Sequence, residues 1–309
     1  MQEKIGNVTL DYEYYPGEDL YSDGPVEEEL LEIAKNYQEK ELNQLIYERN
    51  SWPVLYHFSH IRQNILEWLP ITKEQNVLEI GSGCGPITGV LARKAKSVTC
   101  IDLSKMRSTI NAYRNRECDN VKIMVGNFQD VESSLTEKYD YITLIGVFEY
   151  SQGYIGTAQP YVEMLRRIAR HLAPGGRIVI AIENRLGLKY WAGCTEDHVG
   201  KYFEGLENYP DTRSVRTFSR NELTDIIDQA GAFKTTFYYP YPDYKFPMTI
   251  YSDKRLPKKG ELRDNFCNFD RNRIQLFNEG KVYDSLTDAG LFQEFSNSFL
   301  VIVERKENK

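Results

Sequence analysis

The chain has 309 residues, 41% hydrophobic and 27% charged, with a formal net charge of −7 at pH 7. That is an ordinary soluble balance, long enough for one large α/β domain with insertions or for two small domains. An acidic chain is poorly suited to holding nucleic acid through its phosphates, and no apolar run approaches the roughly 18 residues that span a bilayer.

The Met-Gln-Glu-Lys start lacks the apolar core of a secretory signal. The five cysteines (Cys84, Cys100, Cys118, Cys194 and Cys267) form no C-x-x-C pair, so reduced thiols and a cytoplasmic location are expected. Residues 1–24 are polar and Tyr-rich, and Pro16-Gly17 and Asp23-Gly24-Pro25 punctuate them. They read as a short strand or loop followed by a turn. From residue 27 to 50, Leu30, Ile33, Ala34, Tyr37, Leu42, Leu45 and Ile46 recur at helical spacing, which predicts an amphipathic helix that can bend. A second helix is expected over 54–68, closed by Leu69-Pro70. Residues 1–70 are thus expected to form a helical cap on a main domain of 71–309.

That domain alternates. Strands are expected over 77–80, 97–101, 121–125, 141–146 and 177–182, and helices over 88–94, 104–114 and 161–171, with Ser104 as an N-cap and Pro174-Gly175-Gly176 before the fifth strand. Such alternation with near-continuous apolar strands means a parallel sheet covered on both faces. The rhythm then breaks over 187–218. Ser219-Arg-Asn-Glu222 is a capping box that opens a helix to residue 230, where Gly231 stops it. A strand over 233–239, a long charged insertion over 240–296 and a last strand over 299–303 complete the chain. Insertions of such length are expected to be lids or binding elements.

One stretch organises the core: Val77-Leu-Glu-Ile-Gly-Ser-Gly-Cys-Gly-Pro-Ile-Thr88. It reads as a buried strand, a glycine turn and the start of a helix. Gly81, Gly83 and Gly85 let the backbone approach a ligand, and Pro86 suits a first helical turn. Glu79 needs a partner, since an unpaired buried charge is expensive. The pattern G-x-G-x-G-P departs from the dinucleotide fingerprint and suits a zwitterionic, adenosine-bearing ligand better than a diphosphate. Asp102, ending the second strand, can accept hydrogen bonds from both ribose hydroxyls. Asn127-Phe128, after the third, offers an amide and an aromatic wall. Gly146, after the fourth, lets the next loop lie close.

With these residues the chain resembles the class I S-adenosylmethionine-dependent methyltransferases, most closely over residues 50–185. The resemblance implies a Rossmann-like, doubly wound, seven-stranded sheet, mostly parallel with the last strand antiparallel. It places Glu79 and the turn Gly81, Ser82, Gly83 and Gly85 by the methionine end of the cofactor, and Asp102 on the ribose. It puts Leu103 and Met106 on the adenine, with Asn127 and Phe128 opposite. S-adenosylhomocysteine would be the product. The runs Trp52-Pro-Val-Leu-Tyr-His57, Glu183-Asn-Arg-Leu-Gly-Leu-Lys-Tyr-Trp191 and Tyr238-Tyr-Pro-Tyr-Pro-Asp-Tyr244 look like methyltransferases linked to surface-polysaccharide and glycan biosynthesis.

The acceptor has to be argued from residues, because the fold does not specify it. Methyl transfer is an in-line displacement that needs positioning and, for a hydroxyl, a base. His198, in Cys194-Thr-Glu-Asp-His198, is a candidate base held by a carboxylate, or else part of a solvated acidic loop. His60 and Tyr56 could touch the pocket or simply pack; His57 shares their helix, and His171 reads as structural. Glu149, beside Tyr150, could bind hydroxyls, act as base or cap a helix. Asn184 and Arg185 face the acceptor side, and Arg185 could pair with Glu149 or hold a phosphate or carboxylate. Arg213, Arg216 and Arg220 could read an anion or face solvent. The tyrosine run, with Tyr241 and Tyr244, could stack on sugars or form an interface.

No Cys/His cluster has zinc spacing. Gly146 and its non-acidic neighbours argue against a catechol-type metal site, so no metal is expected. The reading is O-methylation of a sugar, nucleotide-sugar or other small polar metabolite, with no nucleic-acid partner and a homodimer left open. A carboxylate or N-methyltransferase, and a non-catalytic cofactor-binding scaffold, remain alternatives; Pro86 disfavours an NAD-dependent dehydrogenase.

Overall fold

The computed structural model describes residues 1–265 and 273–306; Cys267 and part of the insertion expected over 240–296 lie outside them. The chain opens with strands β1 (Gln2–Ile5) and β2 (Val8–Asp11), followed by helices α1 (Val26–Asn36), α2 (Leu42–Arg49), α3 (Trp52–Phe58) and α4 (Asn64–Glu67). Alternation follows through β3 (Asn76–Ile80), α5 (Thr88–Lys94), β4 (Ser97–Asp102), α6 (Lys105–Arg114), β5 (Val121–Val125), α7 (Phe128–Val131) and β6 (Tyr139–Ile145). Next come α8 (Ser151–Tyr154), α9 (Pro160–Arg170), β7 (Leu172–Glu183), α10 (Leu188–Trp191) and α11 (Arg220–Ala230). The last part holds β8 (Phe233–Tyr241), β9 (Thr249–Ser252), α12 (Glu279–Asp288), α13 (Phe292–Phe295) and β10 (Ser298–Arg305). This is a mixed α/β, Rossmann-like fold, as the alternation predicts. No helix among the described residues is long and apolar enough to cross a membrane.

The chain divides into two compact units, Met1–Leu144 with Arg167–Arg177, and Ile145–Arg166 with Ile178–Lys309. In the first unit the strand order is β1-β2-β5-β4-β3-β6. All its neighbours are parallel except the β1–β2 hairpin. One row of paired residues crosses it, with Glu79 between Cys100 on β4 and Thr143 on β6. The hairpin is sharper than the strand-or-loop expectation, because Gly6 takes φ +58° and Asn7 completes a two-residue turn.

The helix expected over 27–50 is broken. Tyr37 and Gln38 are extended, and a capping box of Gln38 and Glu41 restarts the chain before α2. The helix expected over 54–68 breaks likewise at Ser59, which is extended and accepts the Ile61 N–H. Breaking allows one apolar cluster to close: Leu30, Ile33 and Ala34 of α1 meet Leu42 and Leu45 of α2, Val54 and Phe58 of α3, Ile110 of α6 and Cys84. Cys84 thus ties these helices to the glycine turn. Burial pushes its thiol up to about 12, so it stays protonated at neutral pH.

Residues ahead of α1 are fastened to α6. The Asp19 carboxylate accepts from Ser104 Oγ (2.8 Å), Lys105 N (2.6 Å) and Met106 N (3.1 Å). Arg107 bridges Asp23 and Glu27, with Glu27 at 2.8 Å. A Cβ on Gly126 would stand 2.7 Å from Tyr14 Cβ, so Tyr14 lies against the end of β5.

In the second unit the strand order is β7-β10-β8-β9. β10 runs antiparallel to β8, with Val301 opposite Phe237, and β9 antiparallel to β8, with Tyr251 opposite Tyr239. The tyrosine run is a strand after all. Phe237, Tyr239 and Tyr241 alternate onto one buried face. There Tyr239 meets Phe292 at 5.6 Å and Tyr241 meets Tyr283 at 6.2 Å between ring centroids. The expected insertion supplies β9, α12 and α13 to this core. The capping box forms as read, with Ser219 and Glu222 bonding each other's backbone.

Asp19 caps α6 from far along the chain, so Asp19→Ala is expected to lower stability by about 1–2 kcal/mol and to expose residues 12–25 to protease. Urea unfolding and limited proteolysis check this; an unchanged midpoint with unchanged cleavage would show that Asp19 does not fasten the segment.

Candidate functional site

The first unit builds a polar network under the glycine turn. Glu79 is 4% exposed and sits on β3. Its Oε2 accepts from Thr88 Oγ1 at 2.7 Å and from Cys100 Sγ at 3.4 Å. Thr88 Oγ1 in turn accepts from Asn111 Nδ2 (3.0 Å), and Asn111 Oδ1 from Asn115 Nδ2 (2.7 Å). The partner that Glu79 needs is therefore a hydroxyl and a thiol, not a cation. Burial accordingly raises its carboxyl to about 7, with the bonds from Thr88 and Cys100 opposing only in part.

The three glycines do different work. A Cβ on Gly85 (φ +76°) would stand 2.3 Å from Asn111 Oδ1, so this glycine makes room for the network. A Cβ on Gly83 (φ +51°) meets nothing within 4 Å, so the turn is open at this point. Gly81 and Ser82 bond through their backbone N–H groups to Ile101 O on β4.

Asp102 ends β4 half-buried. Its Oδ2 accepts the Gly83 N–H at 2.7 Å and its Oδ1 the Ser104 N–H at 3.0 Å. Burial raises this carboxyl despite both bonds. Each oxygen keeps a lone pair, which fits a ribose diol. The structure therefore brings Glu79, Gly81, Ser82, Gly83, Gly85 and Asp102 together. Leu103 is half-buried and Phe128 buried. Met106 packs against the helical cluster, and Asn127 Oδ1 caps α7 through the Gln129 N–H at 3.1 Å. Open space at Gly83 beside an Asp102 with unused acceptors suits the adenosine-bearing cofactor implied by the sequence.

The second unit holds a buried charge cluster where β6 and β7 end, the place at which α/β sheets bind ligands. Glu149 lies on the single turn Phe148–Tyr150 after β6, Glu183 is the last residue of β7, and they are 1% and 0% exposed. His198 Nε2 stands 3.5 Å from Glu149 Oε1 and 3.9 Å from Glu183 Oε2. Its Nδ1 faces Glu196 Oε1 at 2.8 Å, and Glu196 Oε2 accepts the backbone N–H groups of His198 and Val199. The Tyr150 ring meets the imidazole edge-on at 5.4 Å. Lys245 joins Glu183 Oε1 (2.5 Å) to Asp197 (2.8 Å), and Lys189 joins Asp197 to Asp243, both at 2.9 Å.

Electrostatics bears on the expectation of a histidine base held by a carboxylate. Burial alone would lower the His198 pKa. The charge of Glu183 and the bonds to Glu149 and Glu196 outweigh it and hold the imidazole well above its usual range. Carboxylates thus face both of its ring nitrogens. Burial likewise raises the Glu149 carboxyl, whereas Lys189 and Lys245 drive Asp197 well below its usual range against its own burial. Two oxygens, Glu149 Oε2 and Glu183 Oε2, are buried without a hydrogen-bond partner. Leaving such an atom unsatisfied costs about 1–3 kcal/mol, more for a charged group.

Other expectations fall away for physical reasons. His60 is an exposed residue bonded to Asn43 (3.0 Å), which leaves it no buried site to act in. Tyr56 packs between Trp52 and His57, under the Arg62 guanidinium. Asn184 spends its amide on Glu294 O and Ser296 O and its Oδ1 on the Leu186 N–H, so it is a structural residue. Arg185 pairs with Glu222 at 2.7 Å rather than with Glu149. Arg216 faces Glu222 and Arg220 faces Asp253, while Arg213 is exposed. Tyr241 belongs to the aromatic core. Gly146 accommodates Tyr244, whose hydroxyl would stand 2.6 Å from a Cβ there and donates to Glu183 Oε1 at 3.3 Å. Sequence reasoning had Glu196 and Asp197 as the acids beside His198 but missed Lys189, Asp243 and Lys245; the signal for the last two was the charge in Asp243-Tyr-Lys245.

Residues 55–234 match a family model described as a methyltransferase domain. An uncharacterized methyltransferase of Staphylococcus carnosus is 27% identical over 172 residues, 54% of this chain and 74% of that protein. A ribosomal RNA small subunit methyltransferase A of Listeria monocytogenes is 34% identical over 88 residues, 26% of this chain; the match spans only 28% of that enzyme's length. Among solved structures, a Haloferax volcanii methyltransferase complex with the Trm112 activator aligns with a TM-score of 0.51 at 18% identity, covering 88% of this chain and 99% of that one. This last likeness is one of fold.

Two outcomes are expected from the turn. Gly85→Ala should lose about 2–4 kcal/mol, from the left-handed backbone and the displaced network. Gly83→Ala should lose only about 1–2 kcal/mol yet bind S-adenosylmethionine at least about tenfold more weakly. Equal losses of stability in urea titrations would show that the network does not depend on Gly85.

Glu79 gives a pH dependence. Its folded carboxyl, at about 7, lies above the unfolded value of 4.5, so the native state holds an extra proton in between. The stability this contributes is complete below 4.5 and is lost as pH rises through about 7. Glu79→Gln should match the parent at pH 5 and exceed it at pH 8 by up to roughly 3 kcal/mol. Unfolding midpoints across that range decide; a variant less stable at pH 8 would contradict the protonated Glu79.

Proposed function

The chain belongs to the methyltransferase-domain family, and from that premise we propose that it moves the methyl group of S-adenosylmethionine onto a hydroxyl of a small, neutral, carbohydrate-like molecule. The cofactor supplies an electrophilic methyl on a sulfonium. The chain's own residues hold, orient and enclose. Gly81, Ser82, Gly83 and Asp102 form the cradle for the adenosine-bearing ligand, over the scaffold of Glu79, Thr88, Asn111 and Asn115. Leu103 and Phe128 offer apolar flanks beyond it.

The observation that carries the acceptor reading is the pair of buried, unpartnered oxygens on Glu149 and Glu183. A hydroxyl donates to such an oxygen and keeps its lone pairs for attack; the carboxylate takes its proton as the oxygen–methyl bond forms and the sulfur–methyl bond breaks to leave S-adenosylhomocysteine. An amine held there stays an ammonium, which has no lone pair to attack with. A carboxylate acceptor meets repulsion, since Glu149, Glu183, Glu196, Asp197 and Asp243 outnumber Lys189, Lys245 and His198. Arg185, Arg216 and Arg220, which could read an anion, are engaged with Glu222 and Asp253. With a net charge of −7, RNA is disfavoured for the same reason. Polyol chemistry of this kind fits a cytoplasmic step of glycan biosynthesis.

Incubation with S-adenosylmethionine labelled at the methyl carbon, against neutral sugars, amines and carboxylates, tests this. The label is expected on oxygen, seen by carbon NMR as an O-methyl, with a rate at least about a hundredfold lower in Glu183→Gln, on the scale of losing one hydrogen bond to a charged group. Label on nitrogen or on a carboxylate would overturn the acceptor reading. Cofactor binding without transfer to any of these classes would overturn the enzymatic one.

A further inference from the structure

We infer that Glu149, Glu183 and His198 form a binding site for one divalent first-row metal ion such as manganese. The inference rests on the reading of this cluster as the acceptor site and adds an occupant to it. Each residue brings one ligand atom, and the atoms lie within 4.8 Å of one another. That spread is close to what three donors around a single ion need, since metal–ligand bonds of about 2.0–2.2 Å set neighbouring donors about 3–4 Å apart.

Three independent features point to a cation. First, Glu149 Oε2 and Glu183 Oε2 are buried oxygens that no protein donor satisfies. Second, His198 is held as metal-bound histidines commonly are: Nδ1 faces a carboxylate, Glu196, at 2.8 Å, which fixes the ring and turns Nε2 toward Glu149 and Glu183. Third, the charges around the site leave an excess of negative charge. Lys189 bridges Asp197 and Asp243, and Lys245 bridges Asp197 and the far oxygen of Glu183. Tyr244 donates to that same far oxygen. Glu183 Oε2 and the carboxylate of Glu149 face His198 with no lysine or arginine of the described residues beside them.

The donor set selects the ion. Two carboxylates and one imidazole suit manganese or iron(II) better than magnesium, which prefers oxygen alone. Three protein ligands leave coordination positions that a hydroxyl-bearing molecule could fill. The sequence hid the site because the residue directly after β6 is Gly146. The acid comes three positions later, where the turn Phe148–Tyr150 carries Glu149 back toward β7.

The test uses the full chain freed of metal with a chelator, with neither cofactor nor acceptor present. Manganese(II) is titrated in and the free ion followed by electron paramagnetic resonance. One equivalent is expected to bind, with affinity reduced at least about tenfold in Glu149→Gln, Glu183→Gln and His198→Asn. A smaller reduction is expected in Glu196→Gln, which acts by positioning the ring. The exposed Glu74→Gln serves as a control and should bind like the parent. Homocysteine-form cofactor affinity, measured separately, reports that each variant is folded. Binding of less than one equivalent at millimolar manganese, or binding unchanged in all three ligand variants, would overturn the site. Because this readout involves no methyl transfer, its failure leaves the O-methylation test standing, and the reverse also holds.

Discussion

Burial of carboxylates at the carboxyl ends of strands is the constraint on which this structure depends. A charged group taken out of water is costly unless something replaces the water. In the first unit the answer for Glu79 is a proton and a chain of short polar side chains. Thr88, Cys100, Asn111 and Asn115 close around it, and the glycine turn follows the shape of that network. In the second unit the answer is a lattice of alternating charges, Lys189 and Lys245 threaded between Asp197, Asp243 and Glu183. That lattice stops short of full satisfaction at Glu149 and Glu183, and there a ligand can do what the protein leaves undone.

The two solutions imply different chemistry. A carboxyl at about 7 with neutral partners is an adaptable scaffold beneath a turn that must hold its shape. The second cluster is pre-organised: His198 is gripped through both ring nitrogens and its own backbone N–H. Preorganised polar groups bind without first rearranging, which is how a site gains from charges already fixed in place. Residues 12–25 and the helices up to Phe58 perform a supporting task for the first unit. Asp19 completes the start of α6, and Cys84 anchors the helices to the turn.

Much of this was legible in the sequence where one local rule decided the outcome. The alternation of apolar runs located β3 to β7, and Ser219-Arg-Asn-Glu222 formed its capping box because both bonds are within four residues. The glycine turn and Asp102 were readable for the same reason, each at a strand end in order. Legibility failed where distant contacts decide. Gly146 looked like a cofactor contact and instead yields space to Tyr244, nearly a hundred positions away. The tyrosine run read as a stacking surface for sugars or an interface, yet alternation through Pro240 turns Phe237, Tyr239 and Tyr241 into core. Arg185 and Asn184 read as acceptor residues, but their partners, Glu222 and Ser296, sit in later elements. His198 was singled out, while the carboxylates that fix its charge state came from three separate stretches of chain.

The central proposal is a division of labour, in which Asp102 and the glycine turn would hold the cofactor and Glu149, Glu183 and His198 would serve the acceptor. Calorimetric titration of S-adenosylhomocysteine into the parent, Asp102→Asn and Glu183→Gln measures it most directly. The account predicts that Asp102→Asn weakens binding about tenfold or more, equivalent to about 1.4 kcal/mol, and that Glu183→Gln leaves affinity within about twofold of the parent. Loss of affinity in Glu183→Gln as large as in Asp102→Asn would contradict it.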